Sequence, residues 1–320
     1  MVTLSIVVPI YNTEKYLTKC IDSLLHQDMD DYEILLVNDS SPDNVQNIID
    51  EYKQKFPAII KSFIKENGGL GDTRNYAIPF AEGKYIMFVD SDDYIKENSL
   101  KKLCQMMEEK ELDILVYDFI KVYDNRQFIH EKSMHSVSTE EYIMSTPNAC
   151  NKIFNKDIFI RHGITFPTDI WYEDLAVIPG LAKYTDKIDY VNEGIYFYQF
   201  RNESIMNQIR YNPKILDMIL SIQNLQHFLE PDFKQEIEFL SLHHLFYGSS
   251  LKLLPFKRYD EIIACIEAHE KHYPHWRHNS YYVTKEKLFK IYCNLLSQRK
   301  FFLCRCLLVL KTKIKSSRRN

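Results

Sequence analysis

The first 120 residues alternate short apolar runs with segments whose apolar residues recur every three or four positions. The apolar runs predict buried strands, and the helical spacing of Leu17, Ile21 and Leu24 predicts a helix after the first of them. Strands are predicted at 4–9, 33–37, 58–64, 85–89 and 112–119. Strands and helices that alternate at this spacing indicate βαβ units, a largely parallel sheet and an α/β fold.

The pattern changes after the strand predicted at 112–119. The segment 125–138 is polar and weakly periodic, which predicts a hairpin or a loop. From about residue 212, long helical stretches follow one another with few strand signals, at 215–228, 233–254, 259–269 and 285–310. We therefore predict an α/β domain over residues 1–210 and a helical C-terminal region over residues 211–320.

The charge distribution sets the C-terminal end apart. The chain has a formal net charge of -4, yet no acid follows Glu286 and eight cations lie within 299–319. Because apolar residues alternate with these cations, the segment predicts a basic amphipathic tail on an anionic membrane surface. A packed terminal helix with a basic end is the alternative. The acidic body and the lack of an RNA or DNA motif argue against nucleic acid as a partner.

The cysteines and the N-terminus indicate the compartment. The seven cysteines include no C-x-x-C pair, which argues against a disulfide framework and fits a reducing cytosol. The chain shows neither a signal peptide nor an apolar run that would span a membrane. We expect a cytoplasmic protein, peripheral at the inner face of the cell membrane, with the oligomeric state left open, a homodimer included.

An acidic cluster follows the strand predicted at 85–89. The sequence Asp-Ser-Asp-Asp at 90–93 crowds three carboxylates at a strand end, where ligands bind in such sheets. Asp90 and Asp92 would present oxygens to a hard divalent ion, whose charge would offset the repulsion. A helix cap formed by Asp92 or Asp93 is the alternative.

Further polar residues lie where the pattern places loops. Residues 171–174 read Trp-Tyr-Glu-Asp before a helical pattern, which makes a carboxylate here a candidate general base. Trp171 and Glu173 are then candidate acceptor or phosphate contacts, although acids also suit a plain first helical turn. Arg201, after an aromatic strand, is a candidate phosphate contact, with a surface arginine as the alternative.

Four segments taken in order resemble glycosyltransferase family 2, the inverting enzymes of the GT-A fold. They read LSIVVPIYN at 4–12, VNDSSPD at 37–43, NGGLGDTRN at 67–75 and FVDSDD at 88–93. The resemblance covers residues 2–120 strongly, extends loosely to 151–152, 173–174 and 198–205, and lapses in the last hundred. It implies a Rossmann-like, mostly parallel sheet, a nucleotide-sugar donor and Mn²⁺ or Mg²⁺.

The resemblance also implies contacts with the donor. Asp39 matches the aspartate that contacts the nucleobase, and Pro9 and Tyr11 lie beside the base. Arg74 matches a residue near the base or the diphosphate. From the residues alone, Asp39 is equally a turn-forming aspartate before Pro42.

The same resemblance implies the roles at the reacting centre. Asp90 matches the acid on the ribose and metal side, with Ser91 beside it as a donor contact. Asp92 matches the direct metal ligand, and Asp174 matches the general base. Two departures are a serine in place of the frequent glycine at position 40 and the lack of a Gln-x-x-Arg-Trp motif, which argues against a polymerising synthase.

The predicted function is transfer of one sugar from a nucleotide-diphosphate sugar, a UDP-sugar by expectation, to a hydroxyl of a lipid-linked oligosaccharide in bacterial capsule or other surface-polysaccharide synthesis. A sugar nucleotidyltransferase is disfavoured because the loop after the first strand is not glycine-rich and basic. The alternative that stays open is a catalytically inactive partner subunit that binds a nucleotide sugar.

Overall fold

The computed structural model describes residues 2–123, 127–200 and 211–317, which separate into two compact units. The first unit takes the described residues up to 169 and those from 173 to 200. The second takes 170–172 and the described residues from 211 onward. The predicted boundary near residue 210 lies beside the segment 201–210, which is outside the described residues.

The first unit is built on one sheet. Its nine described strands are β1 (Leu4–Ile10), β2 (Tyr32–Asn38), β3 (Ile60–Ile64), β4 (Tyr85–Phe88), β5 (Tyr94–Ile95), β6 (Ile114–Val122), β7 (Phe128–Glu131), β8 (Lys152–Asn155) and β9 (Ile188–Gln199). They are ordered β3-β2-β1-β4-β8-β6-β9-β5, and β7, the one described strand within the segment 125–138 that the pattern predicts as a hairpin or a loop, pairs antiparallel with β6.

The half of the sheet around β1 has the predicted parallel topology. β1 pairs in parallel with β2 and β4, with Ile6 opposite Ile34 and Val7 opposite Phe88, and β2 pairs in parallel with β3. Every residue of β1 and β2 is buried, as expected of parallel strands covered on both faces.

The other half departs from the largely parallel sheet that the pattern predicted. β8 pairs antiparallel with both β4 and β6, and β5 pairs antiparallel with β9, while β6 and β9 are parallel. The sheet is therefore mixed. The repeated strand and helix units end after β4, so the βαβ rule no longer sets the direction of the later strands.

Helices cover the sheet and continue into the second unit. In the first unit they are α1 (Glu14–Leu25), α2 (Val45–Lys55), α3 (Gly69–Ala77), α4 (Leu100–Glu109), α5 (Thr139–Met144), α6 (Asp157–Arg161) and α7 (Glu173–Val177). In the second they are α8 (Asp217–Leu229), α9 (Lys234–Leu240), α10 (Ser250–Leu253), α11 (Tyr259–His272), α12 (Ser280–Thr284), α13 (Lys287–Ser297) and α14 (Phe301–Ser317).

Two predicted helices of the second unit are interrupted. The stretch 233–254 contains a π-helix, Ser241–Ser249, between α9 and α10. The stretch 285–310 is divided between α13 and α14, where Arg299 has a φ of 57°. Such a left-handed residue cannot continue a right-handed helix. Among the described residues, no helix is both long enough and apolar enough to cross a bilayer.

Gly71 allows α3 to lie close to the chain segment that precedes α7. A Cβ at this position would lie 2.5 Å from the carbonyl oxygen of Pro167 and 3.3 Å from Cβ of Phe166. Because the nearer atom belongs to the backbone, a side chain would move that segment or α3 itself.

We predict that Gly71→Ala destabilises the protein by about 1–3 kcal/mol through overpacking. Helix propensity alone predicts the opposite, a gain of about 1 kcal/mol. Unfolding in urea would measure the change, with Leu70→Ala at the exposed neighbouring position of α3 as the control. A Gly71→Ala protein more stable than the wild type would contradict the close approach.

Candidate functional site

The site lies at the edge of the sheet where the parallel strands have their carboxyl ends. Tyr11 follows β1, Asp39 follows β2 and Asp90 follows β4 after one residue. Neighbouring parallel strands bring these residues to one edge, which is the usual position of ligands in such sheets. The sequence pattern predicted this arrangement.

The Asp39 carboxylate is buried and organises the loop before α3. Oδ1 accepts hydrogen bonds from Lys65 Nζ at 2.6 Å and from the Gly68 N–H at 2.9 Å. Oδ2 accepts from the Gly69 N–H at 2.9 Å and from Asn67 Nδ2 at 3.2 Å. The base contact of Asp39 stays a prediction, and the structure adds that four donors of the chain already surround this carboxylate.

Arg74, in α3, joins three carboxylates from distant parts of the sequence. Its side chain is buried; Nη1 pairs with an oxygen of Asp174 and lies 3.4 Å from Glu173 Oε1, and Nη2 lies 3.3 Å from Asp90 Oδ1. The guanidinium also lies 5.2 Å from the ring centre of Phe166. Arg74 therefore connects the end of β4 to the start of α7, and its predicted contact with the donor stays a prediction.

Charge crowding changes the protonation of this cluster. Burial, together with the neighbouring Asp174, raises the pKa of the Glu173 carboxyl to about 7, and Arg74 opposes the shift. The three carboxylates raise the pKa of Arg74, which stays a cation. A single guanidinium thus faces three acids, so the site carries an excess of negative charge at neutral pH.

Asp174 is held at both oxygens. Oδ1 accepts a hydrogen bond from Arg74 and Oδ2 accepts one from the Ala149 N–H at 3.0 Å. Two fixed donors on a carboxylate restrict its rotation, and each oxygen keeps a second lone pair for another proton. The arrangement suits a general base whose orientation is set before substrate arrives.

The acids of the segment 90–93 have different surroundings: Asp90 faces Arg74 in the site, and Asp93 is bonded to the sheet. Asp93 is buried and accepts hydrogen bonds from Tyr196 Oη at 2.8 Å and from the Gln199 N–H at 2.7 Å. Burial and the nearby Asp90 raise its pKa well above the ordinary value. Ser91 is buried with its hydroxyl 2.9 Å from that of Thr13. Asp93 therefore ties the end of β4 to β9, whereas Asp90 and Asp92 are half-buried.

The donor atoms at this edge fit a divalent ion of a particular kind. Among the described residues, no three carboxylate, histidine or cysteine side chains are gathered closely enough to hold a metal by themselves. Mg²⁺ and Mn²⁺ bound with a nucleotide need only one or two carboxylates, because phosphates and waters complete the shell. Asp92 and Asp90 carry hard carboxylate oxygens of that type, and their role as metal ligands stays a prediction.

The remaining predicted site residues that the structure describes are not part of the Arg74 cluster. Pro9 is buried within β1, and Tyr11 is 51% exposed at the site edge. Trp171 belongs to the second unit, where its backbone N–H donates to Asp217 Oδ2 at 2.9 Å. Arg201 lies outside the described residues, so its predicted phosphate contact is a prediction only.

Sequence reasoning missed the groups that support the acids. The Ala149 N–H and the ring of Phe166 carry no pattern that would mark them, since one is a backbone group and the other a common core residue. Lys152 is fully buried in β8, and its sequence signal was only its place in the loose resemblance at 151–152.

Comparison with known proteins assigns the family. The model of Glycosyl transferase family 2 matches residues 5–170. This chain belongs to glycosyl transferase family 2. The glycosyltransferase EpsJ of Bacillus subtilis, which is named as uncharacterized, is 30% identical to this family 2 chain over 226 residues, covering 65% of the chain and 64% of EpsJ.

Relatives with named acceptors are also similar. The poly(ribitol-phosphate) beta-N-acetylglucosaminyltransferase TarS of Staphylococcus aureus is 28% identical over 79% of this chain and 47% of TarS. The crystal structure of TarS residues 1–349 in complex with UDP superposes with a TM-score of 0.72 at 25% identity, covering 95% of this chain and 89% of that one. The chain thus spans about half to two thirds of these two curated relatives.

These comparisons confirm the predicted family and the α/β fold of the GT-A type. They match the region that holds the four sequence motifs. The roles of the individual site residues stay predictions, because no comparison tests them.

The raised pKa of Glu173 predicts a pH dependence of stability. A carboxyl whose folded pKa exceeds its unfolded value stabilises the protein at low pH, and this contribution is lost as pH rises from about 4.5 to about 7. Glu173→Gln has no such group. Its stability relative to the wild type should therefore increase across this pH range.

Urea unfolding of both proteins between pH 4.5 and pH 8 would measure the difference. Glu140→Gln, which makes the same substitution at an exposed position of α5, is the control. A constant difference between Glu173→Gln and the wild type would show that folding does not raise the pKa of Glu173.

Proposed function

We propose that the protein is an inverting glycosyltransferase that moves one sugar from a UDP-sugar to a hydroxyl of a surface-polysaccharide acceptor. The observation that carries the proposal is the Arg74 cluster, which brings the candidate base Asp174 next to the acid Asp90 at the ligand edge of the sheet. The family supports the reaction class, and the UDP bound in the TarS structure supports a uridine donor.

The reaction requires a base on one side of the sugar and stabilisation of the leaving group on the other. Asp174 takes the proton of the acceptor hydroxyl as that oxygen attacks the anomeric carbon. The bond from this carbon to the diphosphate breaks, its electron pair leaves with the nucleoside diphosphate, and the configuration inverts. The two donors on Asp174 hold it in the orientation for this transfer.

Asp92, with Asp90 beside it, is the proposed holder of Mn²⁺ or Mg²⁺. Such an ion, when bound with the donor, supplies positive charge to the leaving diphosphate. The excess of negative charge around Arg74 favours a cation at this edge. Glu173, with its raised pKa, is a proposed acceptor contact, since its protonated form donates a hydrogen bond.

Two substitutions should separate the proposed roles. Asp174→Asn should lower turnover by about 10²- to 10⁴-fold with little change in donor affinity, because only the proton acceptor is lost. Asp92→Ala should instead weaken donor binding that depends on Mn²⁺. Release of nucleoside diphosphate measures turnover, and calorimetry with and without Mn²⁺ measures donor binding.

The assay begins with purified protein, Mn²⁺ and each common nucleotide sugar, without and then with lipid-linked acceptors. Asp186→Asn, an exposed aspartate of the first unit, is the control and should keep full activity. Unchanged turnover in Asp174→Asn would remove the assigned base. Donor binding without turnover under every condition would favour the inactive partner subunit.

The acceptor we propose is a lipid-linked oligosaccharide at the cytoplasmic face of a bacterial membrane, as in capsule assembly. Two relatives are named for the transfer of sugars to poly(ribitol-phosphate), which supports a surface polymer as the product class. A peripheral membrane site would bring the enzyme to such an acceptor.

An exposed face of α14 supports that location. Phe302 and Leu303 are 73% and 46% exposed, and Val309 and Leu310 are 53% and 55% exposed. Residues at this spacing share one side of a helix, while Cys304 on the other side is buried. The sequence adds eight cations within 299–319, each worth about 1 kcal/mol near an anionic surface.

We predict that the full chain floats with vesicles that contain phosphatidylglycerol and not with vesicles of phosphatidylcholine alone. Phe302→Ser combined with Val309→Ser should reduce flotation, because apolar area is lost while every charge is kept. Ile160→Ser, at a 55% exposed position of the first unit, is the matched control. Equal flotation of the double variant and the wild type would exclude this face as the membrane contact.

A further inference from the structure

Lys152 is a fully buried lysine whose charge faces oxygen atoms of the chain rather than a carboxylate. Nζ donates to the carbonyl oxygens of Thr146 at 2.9 Å and Asn148 at 2.8 Å, and to Asn151 Oδ1 at 2.7 Å. Three acceptors match the three N–H groups of an ammonium, whereas a neutral amine has only two. The contacts therefore favour the charged form.

One of these acceptors belongs to the peptide group that supports Asp174. The Asn148 carbonyl, which binds Lys152, and the Ala149 N–H, which donates to Asp174 Oδ2 at 3.0 Å, are the two polar ends of a single peptide unit. The unit is planar, so its carbonyl and N–H point in opposite directions. Lys152 and Asp174 therefore lie at opposite ends of one peptide dipole.

A cation on the carbonyl oxygen draws electrons from the peptide nitrogen. Hydrogen bonds that share a peptide in this way polarise one another, by about 10–30% per bond in the condensed phase. The N–H of Ala149 becomes a stronger donor, and the anionic form of Asp174 gains from it. The effect requires no direct contact between the lysine and the aspartate.

We propose that Lys152 is a positioning residue for the base, acting on Asp174 through the peptide between Asn148 and Ala149. The proposal rests on the proposed role of Asp174 as general base. Arg74 holds Oδ1 from α3, and the polarised peptide holds Oδ2 from the loop before β8. Lys152 thus restrains the second of the two carboxylate oxygens.

The lysine is itself anchored to the sheet. Asn151, which accepts from Lys152, donates through Nδ2 to the Tyr117 carbonyl at 3.2 Å and to Ser133 Oγ at 2.9 Å. The Tyr142 ring centre lies 5.9 Å from Nζ. Through Asn151 the lysine is thus connected to Tyr117 in β6 and to Ser133, and it also lies beside Tyr142 of α5.

Opposing effects set the charge of Lys152. Burial lowers its pKa to about 7, while the nearby Cys150 and the Asp174 carboxylate act in the opposite direction. Asp174 in turn faces Arg74 from α3 and Glu173 from its own helix, and Arg74 also faces Asp90. A substitution at position 152 leaves these groups in place. A shift in the pH dependence of turnover would therefore be caused by the loss of the lysine.

The test is Lys152→Met, which keeps the length of the side chain and removes the charge. We expect the turnover number to fall about tenfold, as for the loss of one hydrogen bond to a charged group, with the KM for the donor unchanged. The acid limb of the turnover profile should move to higher pH, because a weaker N–H donor favours protonated Asp174. A lysine that only supports folding would lower the melting temperature and leave this limb in place.

Lys156→Met is the matched control. Lys156 follows the same strand and donates to the Ala81 carbonyl at 2.6 Å, which is not part of the Asp174 environment. If Lys152→Met and Lys156→Met show the same pH profile as the wild type, the proposal is overturned.

Ala149→Pro removes the hydrogen bond between the peptide and Asp174 and leaves the one to Lys152. It provides the test if Lys152→Met does not fold. Proline has no N–H, so Oδ2 loses its donor while the Asn148 carbonyl remains for Lys152. It should shift the acid limb as Lys152→Met does, and the double variant should show no further shift. Additive shifts, or an unmoved limb in Ala149→Pro, would contradict the connection.

Asp174→Asn in the same assay separates the two proposals. If it retains turnover, Asp174 is not the base and the proposed function fails at that residue. If Asp174→Asn loses turnover while the acid limb of the turnover profile is unmoved in Lys152→Met and Ala149→Pro, Asp174 remains the proposed base. Only the proposed role of Lys152 then fails.

Discussion

The site depends on a buried guanidinium that faces three carboxylates. Water is largely excluded around Arg74, so attraction between its charge and the acids is stronger than on the surface, and removal of the guanidinium would leave partly buried carboxylates without a cation. The ion pairs connect α3, the end of β4 and the start of α7. One interaction thereby determines where the candidate base and the metal-side acid lie relative to each other.

The same cluster explains how crowded acids are tolerated at the end of β4. The sequence suggested that a bound metal offsets their repulsion. The structure shows two further contacts within the chain that reduce the repulsion. Arg74 lies beside Asp90, and Asp93 is buried with hydrogen bonds from Tyr196 and from the Gln199 N–H. A single guanidinium still leaves the cluster short of positive charge, which is the condition under which a divalent ion binds favourably.

Backbone N–H groups hold two carboxylates of the site in place. Asp39 is held by the N–H groups of Gly68 and Gly69, and Asp174 by that of Ala149. Such donors are fixed by the loop and the helix that carry them, so they need little reorganisation when charge develops. The close approach at Gly71 keeps α3, and with it Arg74, near the segment before α7.

The sequence by itself determined the parallel half of the sheet, the family and the edge at which Asp39, Asp90 and Asp92 lie. The parallel half and the site edge follow from local periodicity and from strand ends, which neighbouring residues specify, and the family follows from the resemblance of four motifs in order. Only the tertiary structure decided the antiparallel insertion of β8, the pairing of Arg74 with Glu173 and Asp174, and the burial of Lys152 behind the Ala149 peptide. These contacts join residues up to a hundred positions apart, so they depend on how distant segments pack and on backbone groups that no local sequence pattern marks.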